Sequence, residues 1–286
     1  MTTSPAADRG PTQWIDPGTM RRLLLHEARV HAIPGRELRD LGDAILLTDP
    51  VDREPFWNRL EGIRWPDDPG AFDRRLTEIL VLFASLRRQP HVWASPVHDA
   101  PVDLVPRLLS NGFRDMGPGD VMILADPGPA RAAVAGAMPD GVTFERLAGL
   151  DAATAGEASR AVVEVLLDAF EVEPSRRSAI EAETVASLAH PWFTHYLVRL
   201  DGKPAAVARR ATVDDASYLS SIATAGWARG RGLGGLVTRL AGADGLATGS
   251  EWVYLGVFAE NRGAIAVYQR AGFERVGQSC PDLVLV

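Results

Sequence analysis

Apolar residues recur along this chain in short blocks, and the period of each block predicts a helix or a strand. In residues 73–88 they recur at helical spacing, and Leu76, Ile79, Leu80 and Phe83 fall on one face. Other blocks are shorter, bounded by Gly, Pro or Asp, and typical of strands. Further helices are predicted within 19–28, 102–109, 152–170, 178–188 and 236–246, and strands at 41–48, 91–94, 121–124, 142–147, 193–200, 205–213, 218–224, 251–259 and 283–286.

A stretch rich in Pro, Gly and Ala, residues 126–141, separates two groups of predicted elements near the middle of the chain. Such breaks are typical of domain boundaries. The sequence therefore predicts one domain over residues 19–135 and a second over residues 140–286. Residues 1–18 carry many Pro, Thr, Gly and Ala residues and are expected to be a disordered lead-in.

A short repeat relates the two halves. Residues 112–117 (GFRDMG) match residues 272–277 (GFERVG) with equal spacing, and in each half a predicted helix precedes the match and a short apolar strand follows it. We interpret the N-terminal half as a degenerate copy of the C-terminal one. The alternative is that Gly-Phe after a helix is a common C-cap with a hydrophobic contact.

Composition and charge narrow the class of protein. The chain has 286 residues, 46% of them hydrophobic and 23% charged, which is enough apolar material for a packed core. The formal net charge is −7 and no basic stretch stands out, which argues against nucleic-acid binding. Neither a membrane-spanning run nor a signal pattern occurs, and the single cysteine excludes an intrachain disulfide. We expect a globular, cytoplasmic protein that binds neither nucleic acid nor membranes.

A candidate anion-binding turn lies at residues 229–234 (RGRGLG), which follow the predicted strand 218–224 and precede the predicted helix 236–246. A glycine-rich turn at a helix N-terminus offers free backbone N–H groups and the positive end of the helix dipole to an anion. Arg229 and Arg231 add donors suited to phosphate oxygens. The spacing is neither that of a P-loop nor that of a dinucleotide fingerprint. The alternative is a strand-to-helix connection whose glycines only permit tight packing.

A second motif follows the next predicted strand. Residues 229–234 fit Arg-x-x-Gly-x-Gly, and residues 261–273 fit Asn-x-x-Ala-x-x-x-Tyr-x-x-x-Gly-Phe. In this order and separation the two motifs resemble the GCN5-related N-acetyltransferase (GNAT) family, over roughly residues 142–286. Nothing near residues 60–75 matches the first motif, so the resemblance assigns the anion site to the C-terminal half alone.

The resemblance implies an α/β (α+β) fold of tandem GNAT-like domains. Each would be a mixed, mostly antiparallel sheet flanked by helices, with a V-shaped splay between two central parallel strands. It also implies acetyl-CoA as co-substrate, with its pyrophosphate at the glycine turn and its pantetheine in the splay, and no metal. The implied acetyl-CoA-binding residues are Ile222, Ala223, Thr224, Arg229, Gly230, Arg231, Gly232, Leu233, Gly234, Gly235 and Asn261.

Acetyl transfer to an amine needs a neutral amine, a stabilised oxyanion and a protonated leaving thiolate. The resemblance implies that Tyr268 is the catalytic acid for the thiolate; the alternative is a packed core tyrosine. No base is assigned. Protein-lysine members of the family place a Glu on the central strand, near Tyr218 of this chain. The open alternatives are a water-relayed base and the side chains of Asp168, Glu171, Glu173, His190, His195, Asp214 and Asp215.

The sequence thus predicts an acetyl-CoA-dependent N-acetyltransferase. It would move the acetyl group to a primary amine of a small molecule or protein, by direct attack in a ternary complex. The alternative is a non-catalytic acyl-CoA-binding regulatory module. A transferase using aminoacyl-tRNA is disfavoured because no basic surface signal is present. The N-terminal half is expected to pack on the catalytic half and shape the acceptor pocket, in a monomer with an internal pseudo-dimer or in a homodimer.

Overall fold

A computed structural model describes residues 15–32, 35–170, 172–173 and 176–286. Most of the predicted lead-in lies outside these residues. The helices are α1 (Pro17–Ala32), α2 (Pro69–Leu86), α3 (Leu104–Ser110), α4 (Gly128–Ala135), α5 (Ala152–Phe170), α6 (Arg177–Ala189), α7 (Leu233–Ala247) and α8 (Arg262–Arg270). The strands are β1 (Glu37–Asp40), β2 (Ile45–Thr48), β3 (Arg59–Glu61), β4 (His91–Trp93), β5 (Phe113–Asp115), β6 (Gly119–Leu124), β7 (Val142–Leu147), β8 (Phe193–Leu200), β9 (Lys203–Val213), β10 (Ala216–Thr224), β11 (Trp252–Phe258), β12 (Phe273–Cys280) and β13 (Asp282–Leu285).

The start of α1 differs from the prediction. The helix begins at Pro17, before the predicted cap Thr19, so the predicted lead-in reaches two residues too far. The reason is Asp16, whose carboxylate accepts hydrogen bonds from the Thr19 backbone N–H at 3.0 Å and the Thr19 hydroxyl at 2.5 Å. Asp16 therefore satisfies the free N–H groups of the first turn, and Pro17 occupies the first helical position, where its missing N–H costs nothing.

The larger sheet contains seven strands in the order β12-β6-β11-β10-β9-β8-β7. The pairs β7–β8, β8–β9 and β9–β10 are antiparallel, and the pair β10–β11 is parallel. The smaller sheet contains six strands in the order β1-β2-β3-β4-β13-β5, and its parallel pair is β3 and β4. Two mixed, mostly antiparallel sheets, each with one central parallel pair, confirm the predicted fold class.

Each half gives one strand to the sheet of the other. β6 leaves the N-terminal half and lies between β11 and β12 of the larger sheet, pairing antiparallel with both. β13, at the C-terminal end, lies between β4 and β5 of the smaller sheet. The predicted division into residues 19–135 and 140–286 therefore does not describe the sheets. The boundary was predicted from turn-forming residues, and these do not indicate which sheet a neighbouring strand joins.

Helices cover both faces of the larger sheet. α7 packs its apolar side, including Val237 and Leu240, against one face. α5 and α1 cover the other face, and α1 lies between the two sheets, where its Leu23 and Leu24 are buried with Tyr218 and Tyr254. Within the described residues, no helix combines the length and the apolar character that crossing a membrane requires.

Candidate active site

The two parallel strands of the larger sheet separate part of the way along their length. β10 and β11 pair from Ala216 and Trp252 to Leu219 and Leu255, and no pairing follows although both strands continue. A β-bulge in β10 begins at the same point, with Ser221 in the left-handed region at φ 50°. A bulge bends its strand and increases the local twist. The predicted V-shaped opening therefore lies between residues 220–224 and 256–258.

The glycine turn lies at the end of β10. Gly230 and Gly232 both have positive φ, 77° and 76°, and nothing lies within 4 Å of the point that a Cβ would occupy on either. Gly232 is the N-cap of α7 and supplies no side-chain cap, so the first N–H groups of the helix stay free of side-chain partners. This open cradle fits a phosphate, because the helix N-terminus provides donors and positive potential.

Packing holds this turn against the strand end. A Cβ on Gly234 would lie 2.9 Å from the Thr224 Oγ1, so only glycine lets the helix start this close to β10. Arg229 donates to the carbonyl of Ala169 at 3.0 Å and to that of Thr224 at 3.4 Å. The guanidinium of Arg229 thus ties the turn to the end of α5, while Arg231 is exposed.

The predicted acetyl-CoA-binding residues form two groups in the structure. Ile222, Ala223 and Thr224 lie at the end of β10 that is not paired with β11, and residues 229–235 form the turn and the first residues of α7. Asn261 lies apart from these, as the N-cap of α8, where its side chain accepts a hydrogen bond from the Ala264 N–H at 3.1 Å. Binding by these residues stays a prediction.

Tyr268, the predicted acid, is on α8 and is 8% exposed. Its ring packs in the core on the α7 side of the sheet and lies edge-on to Phe273, with the ring centroids 6.4 Å apart. Burial raises the pKa of Tyr268 to about 12, so the hydroxyl keeps its proton at neutral pH. That is the state a proton donor needs.

A cavity of about 840 Å³ opens on the other face of the sheet. Ser220 and Ser221 of β10 and Gly256 and Phe258 of β11, all beyond the last paired residues, contribute to its wall. The remaining wall comes from α5, α6, β8 and β9 on one side and from the N-terminal half and β13 on the other. The cavity thus faces the V-shaped opening and lies between the two halves; its lining does not include Tyr268.

A buried ion cluster forms part of this wall. Glu183 of α6 accepts from Arg209 at 2.7 Å and from Arg36 at 2.8 Å, one arginine for each carboxylate oxygen. Burial alone would raise the pKa of Glu183, but the two guanidinium groups lower it to about 2. Arg36 also donates to Asp49 at 2.8 Å and stacks on Trp57. Glu183 is therefore a structural anion between the halves and a poor base.

Two histidines in the cavity wall are also held by neighbours. His195 is buried and its Nε2 lies 2.8 Å from the Ser187 hydroxyl; burial, with Arg209 nearby, lowers its pKa to about 3. The Nδ1 of His91 lies 2.7 Å from the Pro55 carbonyl, and its Nε2 contacts the Asp282 carboxylate. Both nitrogens of His91 are thus engaged, and the predicted candidate His195 stays neutral.

Three other candidate bases are held by ion pairs or a hydrogen bond, and of these only Asp168 lies near the end of the opening. Asp214 and Asp215, in the β9–β10 turn, form ion pairs with Arg29 and Arg22 of α1. That turn is at the opposite end of β10 from the V-shaped opening. The carboxylate of Asp168 accepts from the Gly226 N–H at 2.5 Å and so fixes the chain before the glycine turn.

Three candidate bases remain. His190 follows the end of α6 and packs against Trp192 and Phe193. Glu173 is exposed at the cavity wall. Glu171 lies outside the described residues.

A buried polar cluster beneath the cavity could not be predicted from the sequence. Glu27 of α1 lies 3.5 Å from Arg59 of β3, and Arg59 binds Glu61 at 2.6 Å. Tyr218 lines the cavity above, and burial together with its interaction with Glu27 raises the pKa of Tyr218. The sequence shows only that charged residues occur inside apolar blocks. That pattern does not indicate that α1 and β3 pack near β10. Over the residues that the structure describes, no group of three or more His, Cys, Asp or Glu side chains could hold a metal ion.

Comparison with known proteins identifies the fold. Residues 160–273 match the family model described as Acetyltransferase (GNAT) family. A GCN5-related N-acetyltransferase from Kribbella flavida is similar at 21% identity and a TM-score of 0.65, over 90% of this chain and 94% of that one. One from Sphaerobacter thermophilus has 19% identity and a TM-score of 0.59, over 86% and 81%. No curated protein sequence matches the chain.

A tandem protein is also similar. The structure described as "Tandem GNAT protein from the clavulanic acid biosynthesis pathway (without AcCoA)" has 15% identity and a TM-score of 0.58, over 90% of this chain and 86% of that one. Its similarity spans both halves, in agreement with the two sheets described above. Residues 160–273 therefore match the GNAT acetyltransferase family model, and the chain as a whole has the fold of GNAT proteins, including that of a tandem GNAT protein.

Proposed function

We propose that this protein is an acetyl-CoA-dependent N-acetyltransferase that transfers the acetyl group to a primary amine within a ternary complex. The observation that carries the proposal is the V-shaped opening between β10 and β11. The glycine turn lies at its end on the α7 side, and the cavity of about 840 Å³ lies on the other face of the sheet. Two substrates could therefore meet in the opening from opposite faces.

Acetyl-CoA supplies the acetyl group as a reactive thioester. The residues of the glycine turn would hold its phosphates through the free N–H groups at the start of α7, with Arg231 adding a charged donor. The backbone of Ile222, Ala223 and Thr224 is not paired with β11, and its N–H and C=O groups on that side would be available to the pantetheine amides. Asn261 is already used as a helix cap, so its contribution is to fix the start of α8.

The acceptor amine would enter through the cavity. Its walls combine aromatic side chains, such as Phe56 and Phe170, with the carboxylates of Asp52, Glu54 and Glu173. Apolar walls with a few charged groups are typical of small-molecule sites, and carboxylates favour an amine. A small molecule or an exposed protein amine satisfies these requirements.

Tyr268 is the proposed proton donor to the leaving thiolate. It holds its proton at neutral pH and lies on the α7 side of the opening, where the thioester sulfur would arrive. In the proposed arrangement the N-terminal half supplies part of the acceptor wall. One chain would therefore form a complete site as a monomer, with the exchanged strands β6 and β13 acting as an internal dimer contact. Cytoplasmic location and the absence of nucleic-acid and membrane partners belong to the same proposal.

The test is turnover with defined substrates. The protein is incubated with acetyl-CoA and a panel of primary amines, and the free thiol and the acetylated amine are both quantified. We expect equal amounts of thiol and amide with at least one amine, and loss of both in the variant Gly232→Glu. CoA binding by calorimetry without transfer to any amine would instead support the acyl-CoA-binding regulatory module.

A further inference from the structure

A tyrosine hydroxyl lies at the point where the parallel strands separate. Tyr218 is on β10, one residue before the last paired position, and it lines the cavity. Its Oη lies 3.4 Å from the point that a Cβ would occupy on Gly256, the first residue of β11 beyond the pairing. The hydroxyl is therefore within the opening itself, where an amine from the cavity would approach a thioester.

Behind this hydroxyl is a carboxylate from the N-terminal half. Glu27 of α1 is buried; burial raises the pKa of both Glu27 and Tyr218, and the interaction between the two groups opposes this shift at Glu27 and adds to it at Tyr218. The ring of His31 contacts Tyr218, with the ring centroids 5.5 Å apart. Arg59 lies 3.5 Å from Glu27, and the Nε2 of His31 lies 3.3 Å from the same carboxylate oxygen. Burial raises the pKa of Glu27, and the positive charge of Arg59 opposes this shift. A carboxylate in such surroundings binds a proton more readily than one in water.

Four other acidic or basic groups of the cavity wall are less suited to accept a proton. Glu183 binds two arginines and its pKa lies near 2, and His195 has a pKa near 3. His91 is engaged at both nitrogens. Asp52 forms an ion pair with Arg176 at 3.1 Å, on the wall away from β10. Among the described residues of the cavity wall, Tyr218 combines a position in the opening with a buried carboxylate nearby.

We propose that Tyr218 and Glu27 form the proton-accepting pair of the acyl transfer, so that the N-terminal half completes the catalytic site. The inference rests on the proposed N-acetyltransferase function. Tyr218 is the catalytic residue of the pair, because it touches the acceptor. Glu27 is a positioning residue that acts through Tyr218 and receives the proton.

In the proposed acyl transfer, one bond to the acetyl carbon forms as another breaks, and each proton released is accepted by a named group. The amine nitrogen forms a bond to the acetyl carbon, and the bond from that carbon to sulfur breaks. The nitrogen gives one proton to the Tyr218 oxygen as the Tyr218 hydroxyl gives its own proton to Glu27. The sulfur leaves as a thiolate and takes a proton from Tyr268, and solvent later restores the protonation of Tyr268 and Glu27.

The chain provides a matched control for Tyr218. Tyr254 is its cross-strand partner on β11, and the two ring centroids lie 5.1 Å apart. The Tyr254 hydroxyl donates to the Leu23 carbonyl at 2.8 Å and lies 2.6 Å from the Nδ1 of His26. It belongs to the same buried region, but it does not line the cavity. Removing this hydroxyl therefore tests the structural contribution of a buried tyrosine without touching the acceptor.

The experiment compares Tyr218→Phe, Glu27→Gln and Tyr254→Phe in the full chain. The probes are acetyl-CoA and the most active amine of the panel, together with a less basic analogue of that amine. We expect Tyr218→Phe and Glu27→Gln to lower kcat by about 100-fold with KM for acetyl-CoA unchanged, the usual size of a general acid–base contribution. The loss should be smaller for the less basic amine, whose proton is easier to remove. Tyr254→Phe should lower the melting temperature and leave kcat within about twofold.

Three outcomes are distinguishable. If the wild type acetylates no amine, the proposed function fails and the pair has no reaction to serve. If the wild type is active and Tyr218→Phe keeps its kcat, the function stands and this inference is overturned. If Tyr254→Phe loses as much kcat as Tyr218→Phe, or Glu27→Gln alone is fully active, the effect is one of packing and the relay is wrong.

Discussion

The chain contains the same strand–helix–strand unit twice, and the two copies differ at the start of the helix. In the C-terminal unit, β10, α7 and β11, the helix begins at Gly232 without a side-chain cap. In the N-terminal unit, β3, α2 and β4, it begins after Asp68, whose carboxylate accepts from the Ala71 N–H at 2.8 Å. The strands around each helix are parallel in both units.

This difference shows that topology alone does not make an anion site. The start of α2 has the same helix dipole, but the Asp68 carboxylate binds one of its N–H groups and Pro69 lacks another. Asp68 and the neighbouring Asp67 would also repel a phosphate. The open glycine cradle of α7 has no counterpart in α2, and we therefore expect no CoA site in the N-terminal half.

The largest expected effect comes from separating the halves. A fragment of residues 138–286 lacks β6, which fills the position between β11 and β12. Its removal exposes two strand edges and the core that Met122 occupies. We expect the fragment to aggregate, while the full chain gives one cooperative unfolding transition. A soluble, monomeric fragment with full activity on the acceptor would show that the strand exchange does not unite the halves.

Next is the loss of cofactor binding in Gly232→Glu. The new residue would have to adopt φ 76°, and its carboxylate would lie in the proposed phosphate cradle. A like charge about 4 Å away costs about 4 kcal/mol at an effective dielectric constant of about 20. We expect calorimetry to find one CoA site per chain in the wild type. In the variant we expect the CoA affinity of that site to fall by at least about 100-fold. Gly70→Glu, beside the cap of α2, is the control and should bind CoA like the wild type.

Much of the fold and half of the site could be predicted from the sequence. Long periodic segments such as α2 and α5 were predicted close to their observed bounds, because their apolar faces specify both period and length. The glycine turn was predictable because backbone geometry forces the choice of residue at Gly232 and Gly234. Both features depend on residues close together in the chain, and such features can be recognised in a single sequence.

The remainder depends on contacts between distant residues. The exchange of β6 and β13 cannot be predicted from local sequence, since the apolar pattern of either strand would be the same if it joined the sheet of its own half. Glu27, Arg59 and Tyr218 come from three elements that meet only in the folded chain. The candidates Asp168 and Asp214 were reasonable by residue type, but a backbone N–H engages the first and an arginine the second.

The repeat sharpens the role of Tyr268. Four residues before Gly272 stands Tyr268, whereas four residues before Gly112 stands Leu108, which is fully buried. The N-terminal unit thus lacks the proposed acid as well as the anion site. We expect Tyr268→Phe to lower kcat by about 100-fold with little change in CoA affinity, because a proton donor to the leaving group acts mainly in the transition state. Wild-type kcat on the true acceptor would show that Tyr268 is a packing residue.

The same repeat provides two glycines in different surroundings. Gly272 has φ 95°, and a Cβ there would lie 2.0 Å from the Asp126 carbonyl oxygen. Gly112 has φ 90°, but its nearest neighbour is a flexible Leu285 methyl group at 3.4 Å. Gly272→Ala should lower the free energy of unfolding by at least about 2 kcal/mol, and Gly112→Ala by about 1 kcal/mol, the strain of the left-handed region alone. Chemical denaturation measures both, and equal losses would contradict the backbone clash.

The smallest effect tests whether α2 can be converted by opening its cap. Asp68→Ala removes the hydrogen bond to Ala71, and such caps contribute about 1 kcal/mol. We expect that loss in the free energy of unfolding. Asp103→Ala is the matched variant, because Asp103 is the N-cap of α3 but makes no capping hydrogen bond, only a partly exposed pair with Arg107; it should cost less. Calorimetry on Asp68→Ala should still find one CoA site per chain, because freeing one N–H does not supply the glycines that let the backbone approach a phosphate. A second site of similar affinity would show that the cap alone separates the two units.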